Sequence, residues 1–319
     1  MATVQHSLDE QPFDLRGPLP SGVTVLEASA GTGKTYTIAA LATRFIAEGA
    51  ATLDQLLLVT FTRVATSELR ERVRERMVVT EAQLARVAAG APPIYIDEIV
   101  ELLAGGPVAE VRERQRRLAD AIANFDAATI ETTHGFCQKV LDGLGTLAES
   151  DPRVSFVETI DDLAREVIDD LSVRRFYRER DGLTMSRQQA EQVAGIAIEN
   201  PLAPIYPSDP HTGSAAAMRC RLAAAAREEL DARKHALGLM THDDQLTRLL
   251  ATLKGPRGAD AVAQLRERYR VVLIDEFQDT DPVQWEIVRR AFTGGGVTLV
   301  LIADPKQAIY AFRGADVYA

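Results

Sequence analysis

Runs of consecutive apolar residues recur along this chain, and polar residues follow or close most of them. They are Val23-Thr24-Val25-Leu26, Leu56-Leu57-Leu58-Val59-Thr60, Val271-Val272-Leu273-Ile274-Asp275 and Val297-Thr298-Leu299-Val300-Leu301-Ile302-Ala303. The last three, apolar at successive rather than alternate positions, predict strands buried on both faces, as in parallel sheets, and the first, β-branched, predicts a short strand. Ala127-Ala128-Thr129-Ile130-Glu131-Thr132 predicts one more strand. Between the strands the period turns helical. Val64, Leu69, Val73 and Met77 recur at helix spacing, while Glu68, Arg70, Glu71, Arg72, Arg74, Glu75 and Arg76 cover the other faces and offer a Glu68–Arg72 pair. A solvated face accounts for most of those arginines. Strands alternating with helices, with polar groups at the strand C-terminal ends, predict an α/β fold: a doubly wound parallel sheet whose ligand site lies along that edge.

Residues 79 to 125 predict helix, broken at Gly90-Ala91-Pro92-Pro93 and at Gly105-Gly106-Pro107. From about 140 to 250 the texture shifts to Arg- and Ala-rich helices such as Ser214 to Met240, interrupted by a Pro-rich loop from Asn200 to Gly213. The expected organisation is an α/β domain from residues 1–140 and 250–319, carrying a helical insertion subdomain at 141–249.

The first strand leads into Glu27-Ala28-Ser29-Ala30-Gly31-Thr32-Gly33-Lys34-Thr35-Tyr36-Thr37 and then the Ala-rich helix start Ile38-Ala39-Ala40-Leu41-Ala42. This strand-loop-helix order is the context a phosphate-binding loop requires. Small residues at Ala28, Ser29, Ala30, Gly31, Thr32 and Gly33 let backbone N–H groups converge on phosphate oxygens. Lys34 reaches the β- and γ-phosphates, the Thr35 hydroxyl is placed for Mg²⁺, and Tyr36 completes the nucleotide-contacting set. Ala28 stands where the general pattern has Gly, a departure in loop subtype that keeps the cradle. A glycine-rich turn that binds nothing is the plainer alternative, but packing gives no reason for Lys34 and Thr35 at a helix start.

Two further clusters follow strand ends. In Leu273-Ile274-Asp275-Glu276-Phe277-Gln278-Asp279-Thr280-Asp281, Asp275 is placed to hold Mg²⁺ and Glu276 to orient or deprotonate an attacking water. In Asp304-Pro305-Lys306-Gln307-Ala308-Ile309-Tyr310-Ala311-Phe312-Arg313-Gly314-Ala315-Asp316, Asp304 and Gln307 face the γ-phosphate. Tyr310, Phe312 and Arg313 have the composition of a base-stacking platform, though such aromatics are more often core.

Charge and composition narrow the rest. A formal net charge of −10 argues against nucleic-acid binding through a bulk field and leaves room for a local basic groove. Cys137 and Cys220 lack C-x-x-C partners, so they read as buried thiols, and the five histidines show no metal-ligand spacing. No apolar run reaches membrane-spanning length and Met1 to Gln11 does not read as a signal peptide, so the expected location is cytoplasmic.

Together these motifs resemble superfamily 1 DNA helicases of the UvrD/Rep type, and within them the RecB type. Residues 27–35 resemble motif I. Thr60, Phe61 and Thr62, with Ala65 to Arg70, resemble motif Ia, and Thr132-Thr133-His134-Gly135-Phe136-Cys137 resembles the next DNA-contacting motif. Residues 273–282 resemble motif II and 304–316 motif III. The resemblance implies a P-loop RecA-like motor domain (1A) with insertion subdomain 1B, ATP and Mg²⁺ as cofactors, and catalytic roles for Lys34, Asp275, Glu276 and Gln307. It further implies DNA contacts from Thr60, Phe61, Thr62, Thr133, His134, Tyr310, Phe312 and Arg313. Single-stranded or duplex-end DNA and RecC-like and RecD-like subunits are the implied partners, double-strand-break repair and recombination the process. Phe13 sits where the family often contacts adenine. The chain stops just past motif III, so a second RecA-like domain with its arginine fingers, and a nuclease domain, are expected to be missing and autonomous turnover to be low. A non-catalytic assembly module and a small-molecule kinase are the alternatives; the Asp275-Glu276 pair suits hydrolysis better than transfer.

Overall fold

The computed structural model describes residues 12–29, 33–145, 155–157, 159–178, 185–201 and 203–307. The chain divides into two compact units, residues 1–148 with 248–319, and residues 149–247.

The first unit is built on five parallel strands: β1 (Val23–Glu27), β2 (Leu56–Thr60), β3 (Thr129–Thr132), β6 (Val271–Ile274) and β7 (Thr298–Ala303), ordered β1-β7-β6-β2-β3. The central strands are apolar throughout because both of their faces are covered. Leu56, Leu58, Val271, Leu273, Val300 and Ile302 belong to one core with α1 (Lys34–Ala47), α2 (Arg63–Ala88), α3 (Glu98–Ala104) and α4 (Val108–Ala123). The alternate residues Val59, Val272 and Ile274 meet Phe136 and Cys137 of α5 (Thr133–Leu144) and Ile287, Val288 and Phe292 of α11 (Pro282–Phe292). Edge-on and tilted ring contacts among Phe136, Tyr269 and Phe292, with Tyr269 ending α10 (Gly258–Arg268), complete that second layer. An α/β doubly wound parallel sheet results, as the apolar runs predict.

Local details differ from the sequence reading. α2 runs from Arg63 to Ala88, and it buries Leu69, Val73, Met77, Thr80 and Leu84, whereas Val64 is 78% exposed. A first-turn residue need not join the stripe that later turns bury. Arg72 pairs with Glu75 at 3.8 Å rather than Glu68. Arg76 is no solvated charge: it is buried between Asp97 and Tyr36. The break after α2 extends through Ile94, Tyr95 and Ile96 to Asp97, with the Ile94 and Tyr95 N–H groups held by Gln83 at 2.8 and 3.2 Å.

The second unit packs α6 (Asp161–Arg178), α7 (Arg187–Glu199) and α8 (Ala215–Leu237) against one another. Ala190, Met218 and Leu222 form its small core with Met185. A two-stranded parallel pair, β4 (Ser155–Phe156) with β5 (Leu239–Met240), was hidden from sequence pattern because two residues carry no period. α9 (His242–Lys254) starts in this unit and ends in the first. Among the described residues no helix is long and apolar enough to cross a membrane.

Candidate nucleotide site

Thr62, Asp97, Thr132 and Asp281 cap the N-termini of α2, α3, α5 and α11 through side-chain oxygens. The uncapped α4 and α10 carry Glu110 and Asp260 in their first turns. α1 has neither device. It begins at Gly33, whose φ of 86° is left-handed and suits glycine, with no side-chain cap and no acidic residue in its first turn. Its N–H groups and dipole are thus left for an anion from elsewhere. Ala28 leaves the sheet with its N–H on the Ala303 carbonyl at 2.9 Å, and Ala28 and Ser29 are half-buried at the C-terminal end of β1. Ala30, Gly31 and Thr32 lie outside the described residues.

Lys34 opens α1 and its Nζ donates to Oε2 of Glu276 at 2.7 Å and to Oε1 of Gln307 at 3.4 Å. Three separate sequence clusters therefore meet at one ammonium group. β6 delivers the two acids: the Asp275 N–H bonds the Val59 carbonyl at 2.8 Å, extending the strand pairing, and Asp275 Oδ1 accepts from the Glu276 N–H at 2.9 Å. Glu276 then takes a left-handed φ of 52°, a conformation that costs a non-glycine residue about 1 kcal/mol. That turn, closed by Asp279 N–H on the Glu276 carbonyl at 3.0 Å, is what folds the chain from strand into a short 3₁₀ turn at Phe277–Asp279. Phe277 rests edge-on against Trp285 with ring centroids 5.4 Å apart.

The electrostatics are unbalanced. Burial pushes the Asp275 carboxyl up to about 6, with the Glu276 charge adding to it and the Glu276 N–H and Lys34 opposing. Burial and Glu276 raise Asp279 too, against Lys34, and its Oδ1 is buried without a hydrogen-bond partner. A hard divalent cation would relieve this crowding of acids, and Asp275 with the half-buried Thr35 would hold it, so the residues fit Mg²⁺. Asp304, buried at the end of β7, and the Gln307 turn complete the edge.

The remaining residues singled out from sequence fall as follows. Tyr36 is 40% exposed, its hydroxyl accepts from Arg76 at 3.1 Å, and the Arg76 guanidinium lies 4.9 Å from its ring centroid. Arg76 also pairs with Asp97, which Val100 and Arg76 hydrogen bonds hold below the usual carboxylate range despite burial. Phe13 is 41% exposed. Phe61 is half-buried and Thr62 exposed after β2; Thr133 and His134 are half-buried after β3. Thr60 departs from this pattern: its side chain is 1% exposed with an unbonded hydroxyl, which removes it from the reachable surface. A Cβ at Gly135 would come 2.9 Å from Glu131 Oε2 and 3.3 Å from Thr132 Oγ1, so the Glu131 carboxylate would have to shift to admit a side chain there. Cys137 is a buried thiol pushed up to about 12 by burial, hence inert; Cys220 is half-buried. Tyr310, Phe312 and Arg313 lie outside the described residues. Sequence reasoning missed Arg76 and Gln278. Arg76 was masked by neighbouring charges, and Gln278 stood unremarked beside two acids.

Residues 15–319 match the UvrD/REP helicase N-terminal domain family. The chain is 49% identical over 307 residues to the RecBCD enzyme subunit RecB of Mycolicibacterium smegmatis, covering 96% of this chain and 27% of that protein. It is 47% identical to the RecB subunit of Mycobacterium tuberculosis (96% and 28%) and 28% identical to that of Escherichia coli (100% and 36%). The chain thus spans about a quarter to a third of the length of these relatives. With a parallel sheet, a phosphate-type loop and paired acids converging on Lys34 at one strand edge, the chain belongs to the UvrD/REP helicase N-terminal domain family.

Proposed function

We propose that this chain is the ATP-binding part of a RecB-like DNA motor acting in double-strand-break repair and recombination. The observation that carries the reading is the convergence of Lys34, Glu276 and Gln307 at the uncapped start of α1. Bound Mg²⁺, held by Thr35 and Asp275, would supply charge neutralisation at the phosphates. Lys34 then leaves Glu276 for the β- and γ-phosphates, which carry more charge than one carboxylate. Freed from Lys34, Glu276 orients or deprotonates the attacking water, and Gln307 senses the γ-phosphate.

Phe61, Thr62, Thr133 and His134, at the C-terminal ends of the adjacent strands β2 and β3, form this side of a single-stranded DNA track, joined by Tyr310, Phe312 and Arg313. Residues 1–140 and 250–319 act as domain 1A and residues 141–249 as 1B. RecC-like and RecD-like subunits are the partners, in the cytoplasm. Residues 1–319 alone bind Mg-ATP and DNA weakly and turn ATP over slowly.

Calorimetry with Mg-ATP tests this. Wild type binds, and Lys34→Ala weakens binding about a thousandfold, the loss of two charge-assisted hydrogen bonds worth about 4 kcal/mol together. Equal affinity in the two proteins would overturn the site.

A further inference from the structure

Gln278 has no part in the scheme above, yet it is 5% exposed and both ends of its amide are engaged. Its Nε2 donates to Oε2 of Glu276, the same oxygen that accepts from Lys34 Nζ. Its Oε1 accepts from the backbone N–H of Asp304 at 2.9 Å, the first residue after β7. The partners fix the amide's orientation, because an ionised carboxylate only accepts and a backbone N–H only donates. Asp304 passes the link on: its Oδ1 accepts from the Lys306 N–H at 3.1 Å and its carbonyl from the Gln307 N–H at 2.9 Å. One buried side chain thus ties the acid after β6 to the turn after β7.

We propose that Gln278 is a positioning residue for Glu276, an inference that rests on reading this edge as an ATP-hydrolysing site. Two donors share one Glu276 oxygen. When a phosphate draws Lys34 away, Gln278 is the donor that stays, and it keeps the carboxylate anchored to the end of β7. Without it, a residue already in a left-handed backbone turn has one side-chain tether fewer, and the carboxylate is free to swing from the water it must orient. Binding of nucleotide does not need that tether; the chemical step does.

Two substitutions separate this role from simple support of the β7 end. Gln278→Leu removes both hydrogen bonds. Gln278→Glu keeps an acceptor for the Asp304 N–H but faces Glu276 with a second carboxylate. Measured in the natural full-length polypeptide with single-stranded DNA, both variants are expected to lower kcat about tenfold or more while Mg-ATP affinity stays within about threefold. The Gln278→Glu deficit relative to wild type shrinks as pH falls from about 8 to 6, because the introduced carboxyl, once protonated, donates as the amide did. The charged groups facing this space are Lys34, Asp275, Glu276, Asp279 and Asp304, and Gln278→Leu, which adds no carboxylate beside them, is the reference for that pH dependence. A Gln278→Glu protein with wild-type kcat overturns the inference, as does a folded Gln278→Leu protein within about twofold of wild type. A wild type that hydrolyses no ATP overturns the functional reading and this inference with it; a wild type that hydrolyses ATP beside unaffected variants overturns the inference alone.

Discussion

The sheet edge of the first unit and the cavity of the second treat buried charge in opposite ways. At the sheet edge Asp275, Glu276 and Asp279 crowd around the Lys34 ammonium, Asp275 is pushed up to about 6, and an oxygen of Asp279 has no partner. The second unit holds a cavity of about 550 Å³ lined in part by Arg227, Asp231, Lys234 and Asp244. There the buried Lys234 donates to Asp231 at 2.8 Å and to Asp244 at 2.6 Å, bonds that outweigh its burial and leave its pKa raised. Asp244 also accepts from the Thr241 N–H and hydroxyl at 2.8 and 2.9 Å, and Arg227 is bonded to the carbonyls of Ala197 and Asn200. Volume is therefore a poor guide here. In the roomy cavity Lys234, Asp244 and Arg227 are satisfied, while at the sheet edge three acids share one ammonium and an Asp279 oxygen has no partner.

The contrast can be broken at several points. Arg76→Ala, beside the first site, should cost the most, about 2–3 kcal/mol of unfolding free energy in a denaturant titration, since it empties a buried position, removes the partner of Asp97 Oδ2 and frees Tyr36, while Asp97 Oδ1 keeps the Ile99 and Val100 N–H groups. Lys234→Ala should cost less, about 1–2 kcal/mol, because its partners Asp231 and Asp244 are more exposed than Asp97 and Asp244 keeps its two Thr241 donors, and Mg-ATP affinity by calorimetry should not change. A Lys234 variant that lost nucleotide affinity would erase the distinction between the regions.

The smallest effect concerns pH. Folded Asp275 keeps its proton to about 6, whereas the unfolded chain releases it near the ordinary aspartate value. Between these the folded state binds more protons, so the contribution is full below the unfolded pKa and is lost as pH rises through the folded one. The nucleotide-free chain should lose about 1 kcal/mol from this group between about pH 5 and 7.5. Asp275→Asn should flatten that part of the profile, and an unchanged slope would mean that Asp275 ionises normally.

Much of this architecture was legible in the residues. Apolar strand runs such as 56–60 are short and continuous, which suits a strand covered on both faces, so β2 has the bounds expected. Lys34 and the acids Asp275 and Glu276 stand out in the sequence as residues of one edge, and the structure does bring Lys34 to Glu276 at 2.7 Å. Arg76 was not legible, since its burial depends on Asp97, which lies past a break in the helices. Nor was the burial of Thr60, because a threonine ending a strand reads alike whether the next layer covers it or not. Gln278 needed three dimensions: its two partners are Glu276, nearby in sequence, and Asp304, 26 residues away.

The left-handed turn at Glu276 has a consequence for how this sequence could drift. A position that served only to bend the chain would be filled most comfortably by glycine, which adopts that backbone without penalty. Glycine at 276 would relieve the backbone but take the carboxylate away from Lys34 Nζ and the buried Gln278 amide, so the bonds the glutamate makes offset the cost of its turn. Drift at this position is therefore tied to two partners at once: a residue without a carboxylate would ease the turn and loosen both Lys34 and Gln278.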